Sequence, residues 1–194
     1  GVQTCALPIC SRAWDRQSVD WLGRLAACGV RPEEVDYVLC THLHVDHVGW
    51  NTRLEDGRWV PTFPNARYLF HRDEFTYWES TREMPADIGY GRTEGSFEDS
   101  ILPVMEAGLG QLIDNDFSLG DSLWAEPTPG HSPGHVCLHV STGTAQSRSD
   151  AVFTGDLLHH PIQCAYPRWN SRYCLDAGLS RRTREQFVDR HCDR

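Results

Sequence analysis

The sequence predicts an α/β fold, and three observations carry that prediction. Short apolar runs that read as strands interleave with stretches of helical period over the whole length. No internal repeat interrupts the alternation. Two of the strands run directly into clusters of histidine and aspartate. Residues 15–28 read as a helix, with Val19, Leu22, Leu25 and Ala26 on one stripe and Gly29 at the C-terminal cap. Pro32-Glu33-Glu34 forms a helical turn, and residues 35–40 a buried strand leading into Thr41-His42, with a short helix after His47. Asp56-Gly57 marks a hairpin turn between 53–55 and 58–60. A strand over 66–70 is followed by a helix over 72–79. Residues 80–96, rich in Gly, Thr, Glu, Pro and aromatics, read as a long loop of the kind that often serves as a lid. Residues 98–107 read as one helix, with Pro103 a weak point unless it sits in the first turn. Strands over 122–126, 136–140 and 151–154, a small-polar loop over 141–150 and a charged amphipathic helix over 179–188 complete the pattern.

Composition narrows the function classes. The 194 residues are 40% hydrophobic and 23% charged, ordinary for a chain that buries a core. A formal charge of −9 without a long Lys/Arg run disfavours nucleic acid as a partner. No apolar stretch approaches the roughly 18 residues of a membrane-spanning helix. The eight cysteines, at 5, 10, 28, 40, 137, 164, 174 and 192, form no C-x-x-C pair. A cysteine zinc ribbon and a disulfide framework are therefore disfavoured, and reduced thiols, several of them in the core, are expected. The oligomeric state is not legible, and the cytoplasm is the mildly favoured compartment.

Both ends look artificial. Residues 1–9, Gly-Val-Gln-Thr-Cys-Ala-Leu-Pro-Ile, resemble a reading-frame translation of a sequencing-library adapter and are set aside from fold reasoning. The expected organisation is an adapter artefact over 1–9 and one partial domain over 10–194. An absent signal peptide then says nothing about location.

The ten histidines concentrate the chemistry. In Thr41-His42-Leu43-His44-Val45-Asp46-His47-Val48-Gly49, four ligand-type residues fall within six positions just after a strand. In extended backbone His42 and His44 share a face, so one metal can take both. Asp46 and His47 lie where the chain turns into a helix and can face a neighbouring metal. Imidazole nitrogen and carboxylate oxygen are zinc donors. Pro129-Gly130-His131-Ser132-Pro133-Gly134-His135 can hold His131 as a third nitrogen ligand on a loop stiffened by proline and loosened by glycine. Phe153-Thr154-Gly155-Asp156 ends a strand with a carboxylate that could bridge two cations.

This ensemble resembles the metallo-β-lactamase-fold hydrolase superfamily: H-x-H-x-D-H, then P-G-H-x-x-G-H, then a strand ending in Gly-Asp, with Asp156 25 residues after His131. The resemblance covers the chain from about Trp14 onward. Residues 47–64, with Gly49-Trp50-Asn51 and Trp59-Val60-Pro61-Thr62-Phe63-Pro64, look most like the group containing quorum-quenching lactonases and organophosphorus-hydrolase-like enzymes. The resemblance implies an αββα sandwich, truncated at both ends here. It implies His42, His44 and His131 on a first metal, Asp46 and His47 on a second, and Asp156 bridging. Two Zn²⁺ per full-length domain are implied, with iron or manganese as alternatives. His135 is implied to be a supporting or packing histidine. His159 or His160 either lines the pocket or belongs to the loop, and His71 and His139 are surface or satisfied core residues. The family's last histidine on the second metal is expected beyond residue 194, and His191, in or beside the final helix, is not expected to replace it. Strands ahead of the first helix are also missing, which would expose a sheet edge.

The implied activity is hydrolysis of an ester, lactone or related small molecule by a metal-activated hydroxide, with Asp46 orienting the nucleophile or relaying its proton. Trp50, Trp59, Phe63, Phe75, Tyr77 and Trp78 are either core or an aromatic wall for an apolar substrate. The alternatives are a mononuclear iron dioxygenase of the same fold, such as the persulfide dioxygenases, and a fragment inactive in this truncated form. A tRNA 3′-end nuclease is disfavoured by the acidic charge.

Overall fold

A computed structural model describes residues 19–82, 95–143 and 149–192. The structure is mixed α/β and divides into two compact units: residues 1–70 with 78–112, and residues 71–77 with 113–194. Residues 1–9 and most of the loop expected over 80–96 lie outside the described residues. No helix among the described residues is long and apolar enough to cross a membrane.

In the first unit, α1 (Trp21–Ala27) starts where the Asp20 carboxylate accepts the Gly23 N–H at 3.0 Å. Within the described residues the helix therefore begins later than the apolar stripe predicts, and Val19 lies ahead of it, exposed. Its end is as predicted, with Gly29 at φ +80°. After a 3₁₀ turn at Pro32–Glu34 comes β1 (Tyr37–Leu39), shorter and more exposed than the buried strand predicted. The reason is its place: among the described residues it is terminal in the order β1–β4–β5, paired in parallel with β4 (Arg67–His71), while β5 (Gly110–Ile113) lies on the far side of β4. The Cys40 N–H still reaches Leu69 O at 3.3 Å, carrying the ladder to the edge of the histidine motif.

α2 (Val45–Val48) begins ahead of His47 rather than after it, and a 3₁₀ turn at Gly49–Asn51 follows. The hairpin of β2 (Thr52–Glu55) and β3 (Arg58–Pro61) is closed by Asp56 and Gly57, both at positive φ, the turn whose twist matches paired strands. α3 (Arg72–Thr81) starts at the predicted residue. The single helix predicted over 98–107 is two, α4 (Ser96–Ser100) and α5 (Leu102–Glu106). The break at Ile101 puts Pro103 into a first turn, where its missing N–H costs no helical bond. Tyr68, Phe70, Trp78, Phe97 and Ile101 are each buried, as are Val48 and Ala66. The buried Tyr68 hydroxyl accepts the Phe63 N–H at 2.9 Å and donates to Asn51 O at 3.0 Å.

The second unit is built on a four-stranded antiparallel sheet, β6 (Ser118–Leu119), β7 (Leu123–Pro127), β8 (Val136–Thr142) and β9 (Ser149–Phe153), in that order. β7, β8 and β9 fall within two residues of the predicted strands at each end; the short β5 and β6 carry too few residues to show a period. α6 (Ile162–Ala165) is likewise short. α7 (Ala177–His191) is longer than predicted at both ends, and its N-cap Asp176 accepts the Leu179 N–H at 2.8 Å. Cys137, Leu157 and Phe187 form a core with Val152 and Leu158 packed on it. Arg184, on a helix that reads as surface, is fully buried. Its guanidinium donates to Leu157 O, Pro167 O, Trp169 O, Asn170 Oδ1 and Ser180 Oγ at 2.7–3.0 Å, tying residues 157–170 to α7.

Candidate metal centre

Each unit carries one part of the predicted ligand set. In the first, the chain leaves β1 and reaches His42, which is fully buried, through Thr41, whose hydroxyl lies 3.1 Å from His42 Nδ1. The His42 ring centroid is 4.7 Å from that of His44 and 4.1 Å from that of His47. The His47 N–H bonds His44 O at 3.0 Å, so the turn into α2 folds the motif back on itself. Three imidazoles are thus brought together. Asp46 sits 3.6 Å from His47 Nε2, and its side chain is 58% exposed. Trp78 packs edge-on against His44 at 5.3 Å, holding that ring from behind.

In the second unit, residues 128–135 are the loop between β7 and β8, closed by Thr128 N–H on His135 O at 2.8 Å. Two glycines let it pack. A Cβ on Gly130, at φ +129°, would meet Ser180 N at 2.2 Å, and one on Gly134 would meet Glu74 N at 2.4 Å. The buried Glu74 carboxylate instead accepts the Gly134 N–H at 2.8 Å. The segment leading into α7 clamps the other side, with Leu175 N–H on His131 O and Asp176 N–H on Gly130 O. So held, His131 is buried with its Nε2 3.3 Å from Asp156 Oδ2. Asp156 follows β9 in a 3₁₀ turn, Gly155–Leu157.

Asp156 organises its surroundings. His159 Nε2 lies 3.2 Å from Asp156 Oδ2, while the Nδ1 of His160 accepts the Ile162 N–H at 3.1 Å and caps a turn. Of this pair, His159 is the one beside the carboxylate. The buried His135 accepts the Asp156 N–H on Nε2 at 3.1 Å and meets Thr128 Oγ1 through Nδ1 at 2.8 Å, so it orients the loop and the aspartate. His71, on Asn115 Oδ1 at 3.0 Å, and His139, on Glu126 at 2.7 Å, are satisfied buried histidines. His191 lies within α7 and also meets Glu126. Among the aromatics, Phe63, Phe75 and Trp78 are core, and Trp50 stacks on Trp21 at 5.1 Å. The sequence reading missed Cys174, whose thiol is 3.8 Å from His131 Nδ1, and Glu74; neither has a local signal, since their partners lie 43 and 60 residues away.

All six described cysteines are free thiols, with Cys40 and Cys137 buried. Burial pushes the Cys137 thiol up to about 12.

Residues 11–184 match the family model of the metallo-beta-lactamase superfamily. The chain belongs to this superfamily. It is 29% identical over 154 residues to the N-acyl homoserine lactonase AttM of Azorhizobium caulinodans, a match covering 76% of this chain and 54% of that protein. To AttM of Rhizobium radiobacter it is 33% identical over 159 residues, with the same shares covered. The chain thus spans about half the length of the curated relatives it matches. Among solved structures, the hydrolase AbOPH of the beta-lactamase superfamily matches with a TM-score of 0.71 and 27% identity, covering 97% of this chain and 62% of that one. AidC, a dizinc quorum-quenching lactonase, matches with a TM-score of 0.66 at 20% identity, covering 91% and 60%, and bears on the fold alone. The mixed α/β architecture is that of the metallo-β-lactamase fold.

Proposed function

We propose that this chain is the ligand-bearing part of a dinuclear zinc hydrolase acting on a lactone or related ester, of the N-acyl homoserine lactone type. The observation that carries the reading is Asp156, its Oδ2 within 3.3 Å of two imidazoles and its N–H on a third. That clustering supports a carboxylate that shares a cation with neighbouring imidazoles. Membership of the superfamily and the names of the relatives support the reaction class. The donors fit zinc, being imidazole nitrogens and carboxylate oxygens with no thiolate in the motifs. In this reading His42, His44 and His131 hold the first metal, Asp46 and His47 the second, and Asp156 both.

Two metals held by these residues would supply a water of lowered pKa and a polarised substrate carbonyl. The chain does the rest. Asp46, exposed at the first turn of α2, can take the proton of the nucleophile and pass it to the leaving oxygen. His135 keeps the Asp156 backbone fixed while the carboxylate works, and His159 steadies its Oδ2.

The test is hydrolysis of an N-acyl homoserine lactone and an aryl ester by zinc-loaded protein and by His42→Ala. The expected loss exceeds the roughly 10–100-fold that removing a ligand's supporting partner costs. An unchanged rate in His42→Ala would remove the metal mechanism. One iron per chain with oxygen uptake would replace hydrolysis by dioxygenation.

A further inference from the structure

We propose that Glu126, His139 and His191 form a further transition-metal site, open to solvent and suited to zinc. Glu126 lies on β7 and His139 on β8, where the register pairs Trp124 with His139 and Glu126 with Cys137, so the two residues are diagonal neighbours on one sheet face. The last turn of α7 brings His191 to the same carboxylate. His139 Nε2 is 2.7 Å and His191 Nε2 2.9 Å from one oxygen, Glu126 Oε2, and the three donor atoms lie within 4.8 Å of one another. Two imidazoles and a carboxylate are a known zinc triad, and tetrahedral bonds of about 2.0–2.1 Å space ligands roughly 3.3 Å apart. To admit the ion, the two carboxylate–imidazole contacts of 2.7 and 2.9 Å would open toward about 3.3 Å.

The surroundings fix the donors rather than merely gather them. The His139 ring lies flat on Trp124, centroids 4.9 Å apart and 7° between planes. Phe187 packs against His191 at 4.5 Å. Arg190 bonds the other carboxylate oxygen, Oε1, leaving Oε2 to the imidazoles, as a partner supporting a metal-binding carboxylate does. Both rings now donate Nε2–H to the carboxylate. Binding moves those protons to Nδ1 or to solvent and puts the two freed lone pairs on the cation. The His191 side chain is 33% exposed, which gives the ion a path from solvent.

The experiment is calorimetric titration of metal-stripped protein with Zn²⁺, repeated for Glu126→Gln, His191→Ala and His131→Ala, with near-ultraviolet dichroism to confirm folding. One binding step is expected to weaken at least tenfold in Glu126→Gln and in His191→Ala and to persist in His131→Ala. A titration identical in wild type, Glu126→Gln and His191→Ala overturns the site. A step lost only in His131→Ala likewise overturns it, while supporting the Asp156 centre. Should the variants not fold, Cu²⁺ added to wild type decides. Quenching of Trp124 emission, missing in Trp124→Phe, is expected, and equal quenching in both proteins overturns the site.

Discussion

Asp156 makes its contacts through residues of opposite sequence legibility. His131 and Asp156 belong to motifs that can be read on sight. His135 reads as a spare histidine, yet its Nε2 accepts the Asp156 N–H while its Nδ1–H donates to the Thr128 hydroxyl oxygen. Removing it as His135→Ala deletes both bonds. Urea unfolding should show a loss of about 1–3 kcal/mol, and zinc affinity should fall about 10–100-fold. Cysteine reactivity is a second prediction at this scale. With its thiol pushed up to about 12 by burial, Cys137 holds on the order of one thiolate in ten thousand at pH 8. A brief pulse of alkylating reagent read by mass spectrometry should label the exposed Cys28 and leave Cys137 unlabelled until urea unfolds the chain.

Elements here start and stop by local chemistry where a cap or turn residue is present, and by packing where none is. Asp20 and Asp176 start helices because their carboxylates reach N–H groups three residues on. Asp56-Gly57 closes its hairpin because both positions take positive φ. The β7–β8 loop is different, because its shape answers to α3 and α7. Gly134→Ala forces a Cβ to within 2.4 Å of the Glu74 backbone nitrogen and 2.7 Å of His71 Nδ1. A cost of about 2–3 kcal/mol is expected in urea unfolding. Because the loop carries His131, bound zinc should fall in the same variant, measured by atomic absorption after gel filtration. A Gly134→Ala protein as stable as wild type would mean that the loop tolerates a side chain there.

At the scale of the whole molecule, pH dependence draws on one buried group in each unit. Burial raises the Tyr68 hydroxyl and the Cys137 thiol to about 12, from ordinary values of 10.0 and 9.0. Both groups are neutral when protonated, and the folded state holds the proton more tightly than the unfolded chain. Their contribution is thus complete below about pH 9 and is lost as pH rises toward 12. The urea midpoint should fall between about pH 9 and about pH 11. Tyr68→Phe and Cys137→Ala should each flatten that fall. A midpoint independent of pH across this window would show that neither proton is tied to folding.

The sequence by itself determined the α/β class, the histidine and aspartate motifs with their spacing, the hairpin, and the loop glycines. Those features are governed by chemistry acting over a few residues: side-chain alternation, turn conformations, and the donors a borderline metal accepts. Only the tertiary structure decided that β1 is the outer strand of its sheet among the described residues, that the helix predicted over 98–107 breaks at Ile101, and that Arg184 is buried in a cage of carbonyls. It also decided that His159 rather than His160 meets Asp156, and that Glu126 gathers His139 and His191 from 13 and 65 residues away. These outcomes depend on which distant surfaces meet, and a distant contact leaves no local period or turn signal in the chain that makes it.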